Sequence, residues 1–266
     1  KSQLPNYSNL DPVLLKRLEQ NDPGNLYAVP YLWGTNGIGY NVDKVKEVLG
    51  VDKIDSWAAV FEPENIKKLQ SCGVAFLDSA DEMMPTVLNY MGLDANSTNP
   101  EDYKKAQALL LKLRPHITYF DSSKFITDLA NGNICVVLGW SGGVADAQKA
   151  SEAAGNQRKL VYSIPREGAP VWVESLVQLN DAPNPAQGLA FIDYMLRPEA
   201  IAELTNSVFF ANANREATAL VDAAVSGDPD IYPDQALRER LFTEELLPLR
   251  SQRERTRLWT TFRTHY

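Results

Sequence analysis

The run Ile134-Cys135-Val136-Val137 leads through Leu138-Gly139-Trp140-Ser141-Gly142-Gly143 into Val144-Ala145-Asp146-Ala147-Gln148-Lys149. The first stretch reads as a strand and the last as a helix. A strand that ends in a Trp and two glycines directly before a helix is a strand-to-helix junction at the carboxyl edge of a sheet. Ligands bind at that edge in open α/β sheets. Trp140 offers a flat face there for an apolar chain or a cation.

The same alternation runs along the chain. Strands are expected at Gly37–Asn41, Val74–Leu77, His116–Phe120, Cys135–Gly139, Leu160–Ile164 and Val173–Leu179. Helices are expected at Val42–Leu49, Ser79–Met91, Pro100–Leu113, Ser122–Ala130 and Gly143–Ala153, with a helical turn at Ser56–Phe61. Ser79 and Glu82 have capping-box spacing, and Asn131-Gly132 is a helix stop. From Pro185 onward the pattern is mainly helical. Alternating units of this kind predict an α/β fold with a mainly parallel sheet and helices on both faces. Two Pro/Gly-bearing stretches, Pro30–Gly37 and Pro165–Pro170, read as loops that cross between lobes.

A chain of 266 residues is long enough for one or two lobes. Its 26 Lys+Arg against 34 Asp+Glu give a net charge of −8. That balance argues against nucleic acid or an anionic membrane surface as partner. No apolar run is long enough to span a membrane. The sequence starts at Lys1 with no initiator Met and reads as processed or trimmed, which is compatible with a removed export signal. Cys72 and Cys135 both fall at strand-like positions. Neighbouring strands would bring them within bridging distance, and two buried free thiols fit the count equally well.

Enzyme signatures are missing. The two histidines, His116 at the start of a strand-like run and His265 next to the C-terminus, argue against a histidine-dependent triad. Two histidines and two separated cysteines form no metal-ligand cluster. Gly37-Ile38-Gly39 is an isolated fragment of a nucleotide-binding pattern. Asp81 and Glu174 are imaginable as acid and base, but no base–nucleophile motif accompanies them. What remains is a set of aromatic and acidic residues near turns: Trp140, Trp172, Glu174, Phe210, and Asp81 with Glu82 in the first turn of a helix. Each singly is explained by core packing or capping. Together, aromatic walls and carboxylates suit an amine, through cation–π contacts and charge-assisted hydrogen bonds.

Several stretches resemble the polyamine-binding periplasmic proteins, the putrescine- and spermidine-binding components of ABC uptake systems. They are Gly37–Val45, Ser71-Cys72-Gly73-Val74, Leu109–Pro115, Asp128–Gly132, Ser163–Gly168, Leu196-Arg197-Pro198 and Phe210–Asn214. The resemblance covers nearly the whole chain. It implies a two-lobed periplasmic binding protein fold with hinge-crossing segments, closing on an amine and delivering it to an inner-membrane ABC permease. It implies a periplasmic monomer without cofactor, metal or catalysis, and a disulfide between Cys72 and Cys135. A sensor of the same fold, signalling amine levels to a membrane partner, is the alternative. Family ligand contacts map onto Glu82, Trp140, Gly143, Trp172, Glu174 and Phe210.

Three positions depart from the family pattern, which commonly has Asp at Gly143, Asp at Glu174 and Tyr at Phe210. The lost carboxylate at Gly143 suggests room for a longer or less cationic ligand, with Asp146, three residues on, as a candidate replacement. Family members also carry a segment before the equivalent of Lys1, with a Trp-Ser-Asp-Tyr motif, so the N-terminal part of the first lobe is expected to be absent here. The remainder of that lobe is expected at residues 1–32 and 155–226, and the second lobe at 33–154 and 227–266.

Overall fold

Side-chain caps set the ends of several helices in the computed structural model, which describes residues 1–264; His265 lies outside the described residues. In chain order the first elements are α1 (Pro12–Leu18), β1 (Val29–Asn41), α2 (Val42–Leu49), α3 (Ala58–Phe61), α4 (Pro63–Leu69) and β2 (Val74–Phe76). There follow α5 (Ala80–Tyr90), α6 (Pro100–Leu113), β3 (Tyr119–Phe120), α7 (Lys124–Asn131), β4 (Val136–Trp140), α8 (Ser141–Ala153) and β5 (Leu160–Ser163). The last are β6 (Val171–Leu176), α9 (Pro185–Met195), α10 (Pro198–Val208), β7 (Ala211–Asn212), α11 (Ala223–Ser226), α12 (Gln235–Arg238) and α13 (Leu249–Thr264). Asn41, Ser79 and Asn99 accept first-turn amides of α2, α5 and α6, which offsets donors a helix cannot satisfy internally. Helix α7 stops at Gly132, whose φ of 74° suits glycine.

Backbone contacts divide the chain into two compact units. Unit one is Lys1–Gly34 with Val171–Asp234, and unit two is Thr35–Pro170 with the chain from Gln235 onward. The chain passes between them at Gly34/Thr35, at Pro170/Val171 and at Asp234/Gln235.

In unit two the strands lie in the order β3-β2-β4-β1-β5. β2 runs parallel to β3 and to β4, whereas β1 is antiparallel to β4 and to β5. The sheet is therefore mixed, not mainly parallel. β4 and β5 flank β1 and point the same way, so α8 forms a crossover between them. The core is built on Ile38, Val74, Phe76, Val136, Val137 and Leu138, none of which reaches solvent. Phe120 packs edge-on against Trp259 and Phe262 of α13, with centroids 5.5 and 5.1 Å away.

Cys72 and Cys135 sit in turns just before β2 and β4 rather than within them. Because those strands are parallel neighbours, their starts are adjacent, and the two residues form a disulfide with Cα atoms 5.4 Å apart. β5 hydrogen-bonds to β1 from Ile38 to Asn41, so residues 155–170 group with unit two and not with the lobe expected for them.

In unit one, β1 pairs antiparallel with β7 at Leu32↔Asn212 and Trp33↔Ala211, and β6 also pairs with β1. The stretch expected as a loop, Pro30–Gly37, is thus strand. Asn6 ties the start of the chain to α9 through both carboxylate oxygens of Asp193, at 2.9 and 2.8 Å. Trp33 Nε1 donates to the carbonyl of Asn212 at 3.1 Å. Between β7 and α13 the chain forms only single-turn helices, shorter than the helical tail predicted from sequence.

Candidate functional site

Two acidic–aromatic clusters form, one in each unit. In unit two, β4 runs into α8 without an intervening turn, so Trp140 is both the last strand residue and the helix N-cap. Across the β1–β4 pair, Asn36 lies directly opposite Trp140. Both donate to one atom: Trp140 Nε1 reaches Glu82 Oε1 at 2.6 Å and Asn36 Nδ2 reaches it at 3.1 Å. Ser79 Oγ accepts the Glu82 amide at 3.3 Å, the first half of a capping box. The Glu82 carboxylate does not return to Ser79; it turns to the sheet. Phe125 of α7 meets Trp140 at 6.4 Å between centroids, ring edge to face.

Two more charged groups belong to this cluster, Glu244 beside Glu82 and Arg255 beside Asp81. The segment Phe242–Glu245 is pinned by Phe242 N to Ala169 O at 3.1 Å, Asn96 Nδ2 to Thr243 O at 3.0 Å and Glu245 N to Asn96 Oδ1 at 3.0 Å. It carries Glu244, whose carboxyl is pushed up to about 8, first by burial and then by the negative charges of Glu82 and Asp81, against the opposing pull of Arg255. Arg255 on α13 is 3% exposed and reaches Asp81 Oδ1 at 3.4 Å. Its Nε and Nη2 are buried without a hydrogen-bond partner, as is Oδ1 of Asn36. Sequence reasoning missed these three residues. Arg255 was detectable, because Ser251, Arg255, Leu258, Trp259 and Phe262 share the helical spacing of a buried face. Asn36 and Glu244 carry no such signal, because they meet Glu82 only through the fold.

Gly143 is buried in the first turn of α8, close to Phe125: a Cβ on it would stand 2.6 Å from Cζ of that ring. The expectation that Gly143 leaves room for a longer or less cationic ligand is corrected here, because Phe125 fills the space. Asp146 is exposed and joins no hydrogen bond with Glu82.

In unit one, Trp172 and Glu174 are two residues apart on β6 and share one face of the strand. Trp172 packs edge-on against Phe210, with centroids 4.9 Å apart. Gly34 on β1 permits this approach, since a Cβ there would lie 2.4 Å from Cζ2 of Trp172. Tyr31 donates its hydroxyl to Glu174 Oε2 at 2.6 Å, and burial followed by that bond pushes the phenol up to about 12. Phe209, just before Phe210, caps α10 in the left-handed region at φ 56°. The structure thus brings Glu82, Trp140 and Gly143 together in unit two, and Trp172, Glu174 and Phe210 together in unit one. Among the described residues, no group of three or more His, Cys, Asp or Glu is placed to hold a metal ion.

The sequence profile of the bacterial extracellular solute-binding protein family matches residues 1–233. The chain belongs to that family. This solute-binding protein is 54% identical over 265 residues to the putrescine/agmatine-binding protein of Pseudomonas aeruginosa, covering 99% of this chain and 72% of that one. It is 50% identical over 262 residues to the putrescine-binding periplasmic protein PotF of Escherichia coli, covering 98% and 71%. The solved structure of the spermidine/putrescine ABC transporter substrate-binding protein PotD from Streptococcus pneumoniae matches with a TM-score of 0.82 at 25% identity, over 98% of this chain and 75% of that one. The solute-binding protein is therefore periplasmic and not an enzyme, and its two-lobed α/β fold is that of its relatives. None of these likenesses supports the sensor alternative. No helix among the described residues is long and apolar enough to cross a membrane.

Proposed function

We propose that this solute-binding protein captures a diamine or polyamine and delivers it to an ABC permease. The observation that carries this reading is the carboxylate of Glu82, which is held by Trp140 and Asn36 through Oε1 alone. Oε2 accepts no hydrogen bond from the described residues and is open to an ammonium N–H. The orphaned Oδ1 of Asn36 is a second acceptor for the same group. The Trp140 face adds about 0.5–2 kcal/mol of cation–π attraction where water is excluded. In unit one, Glu174 with Trp172 and Phe210 provides a carboxylate beside aromatic rings, the pairing that a second ammonium needs. The relatives named for putrescine, agmatine and spermidine carry that ligand chemistry in their names. In this reading the ligand contacts are Glu82, Trp140, Gly143, Trp172, Glu174 and Phe210, with Asn36 and Tyr31 positioning the two carboxylates. The units act as lobes, the protein works as a monomer, and its negative charge keeps nucleic acid away.

Calorimetric titration of the full-length protein with putrescine, cadaverine, agmatine, spermidine and spermine tests the reading. One of these amines is expected to bind and, at about 100 times its Kd, to raise the unfolding free energy by ~2.7 kcal/mol. Glu82→Gln keeps the shape and removes the charge, and should weaken that amine by about 2–5 kcal/mol. Folded native protein that binds none of the five would overturn the proposal.

A further inference from the structure

Helix α13 has two unlike faces. Its inner face reaches α5 and the turn before it: Trp259 Nε1 donates to Asp78 Oδ1 at 3.1 Å, Arg263 pairs with Asp78, and Arg255 pairs with Asp81. Its outer face carries Arg250, Arg253 and Arg257, all exposed and spaced to form one stripe. With Pro100 and Glu254 they line an open pocket of about 470 Å³. Among the described residues none of the three guanidinium groups takes part in an ion pair. On a chain of net charge −8, three cations against one Glu254 mark a local reversal of sign. Beside them Leu246 and Leu249 are 85% and 69% exposed.

A small anion is a poor occupant for this patch. Pro100 has no N–H, and the next amides of α6 are already taken: Glu101 N by the Asn99 side chain and Asp102 N by the Asn99 carbonyl, both at 3.1 Å. None of the described residues lining the pocket is a buried donor, and exposed guanidinium groups hold a lone ion weakly in water. An acidic protein surface is different, because it supplies several carboxylates at once together with apolar side chains for Leu246 and Leu249. Complementary charge also speeds and orients such encounters.

We propose that Arg250, Arg253 and Arg257, with Leu246 and Leu249, form the surface on which an acidic face of the receiving membrane permease docks. The inference rests on the proposed transport function. The docking helix is also the one whose inner face is bonded to Asp78 and Asp81, immediately before Glu82.

The experiment compares native full-length protein with the triple variants Arg250→Glu/Arg253→Glu/Arg257→Glu and Arg250→Gln/Arg253→Gln/Arg257→Gln. Binding is measured to the cognate ABC permease in nanodiscs of phosphatidylcholine, which is zwitterionic, and separately to protein-free vesicles containing phosphatidylglycerol, and amine titration runs in parallel. Both variants should melt as the native protein does and bind the amine unchanged. Association with the permease should fall about tenfold in the Gln variant and further in the Glu variant, with a weaker dependence on salt than the native protein shows. Unchanged association in both variants would overturn the docking surface. If the variants lose binding only to vesicles containing phosphatidylglycerol, the patch meets lipid and the permease assignment is wrong. Failure of the native protein to bind any amine would overturn the function proposal instead, which the parallel titration reports separately.

Discussion

Glu82 occupies the third position of α5, where a glutamate ordinarily turns back to the N-cap of its own helix. Its carboxylate instead accepts from Trp140 and Asn36, so the spacing that makes it look like a capping residue conceals what its side chain does. Two neighbours give predictions at this scale. Gly143→Asp adds a carboxylate at the start of α8 but drives its Cβ into the Phe125 ring. Overpacking of this kind costs about 1–3 kcal/mol, and urea unfolding should show a lower midpoint with an unchanged slope. Glu244 is held up to about 8 from an ordinary 4.5, so the fold prefers its protonated form. That contribution to stability is complete below pH 4.5 and is lost as pH rises to about 8. Glu244→Gln is neutral throughout. Scanning calorimetry of the ligand-free protein should find variant and native melting together near pH 4.5, with the variant gaining on the native protein up to pH 8. A constant difference across that range would remove Glu244 as the titrating group.

Among the elements, those bounded by local chemistry were legible. Asn99-Pro100 begins α6 and Gly132 ends α7, because caps and stops are written within four residues of the boundary. The junction from β4 into α8 was legible for the same reason, and with it the place of Trp140. β1 was not legible over its first half. Pro and Gly read as turn signals, but Pro30 is the second residue of the strand and Gly34 makes room for Trp172. The direction of β1 was also hidden, since its partners β4, β5 and β7 arrive long after it in the chain. The same distance hid Asn36, Glu244 and Arg255, whereas the aromatic and acidic residues nearest strand ends drew attention by type. The placing of residues 155–170 failed because pairing of β5 with β1 is a long-range choice that no local pattern records.

At the scale of the whole molecule, charge and covalent closure both act beyond any single element. The overall −8 makes copies of the chain repel one another, and against it the α13 arginines stand out as a local exception. The disulfide joins residues 63 apart in sequence. In the chain-entropy account, a loop of that length contributes on the order of 4 kcal/mol by restricting the unfolded ensemble. Replacing Cys72 and Cys135 together by Ala should lower the unfolding free energy by about that amount in denaturant titration, with amine binding retained wherever the variant stays folded. The bridge also turns the stretch from Cys72 to Cys135, which holds β2, α5, α6, β3 and α7, into a covalent ring within unit two. A protease that cuts one peptide bond inside that ring severs the backbone but releases no fragment. The nicked molecule keeps both of its new ends tethered, and Glu82 with them, until a reductant arrives.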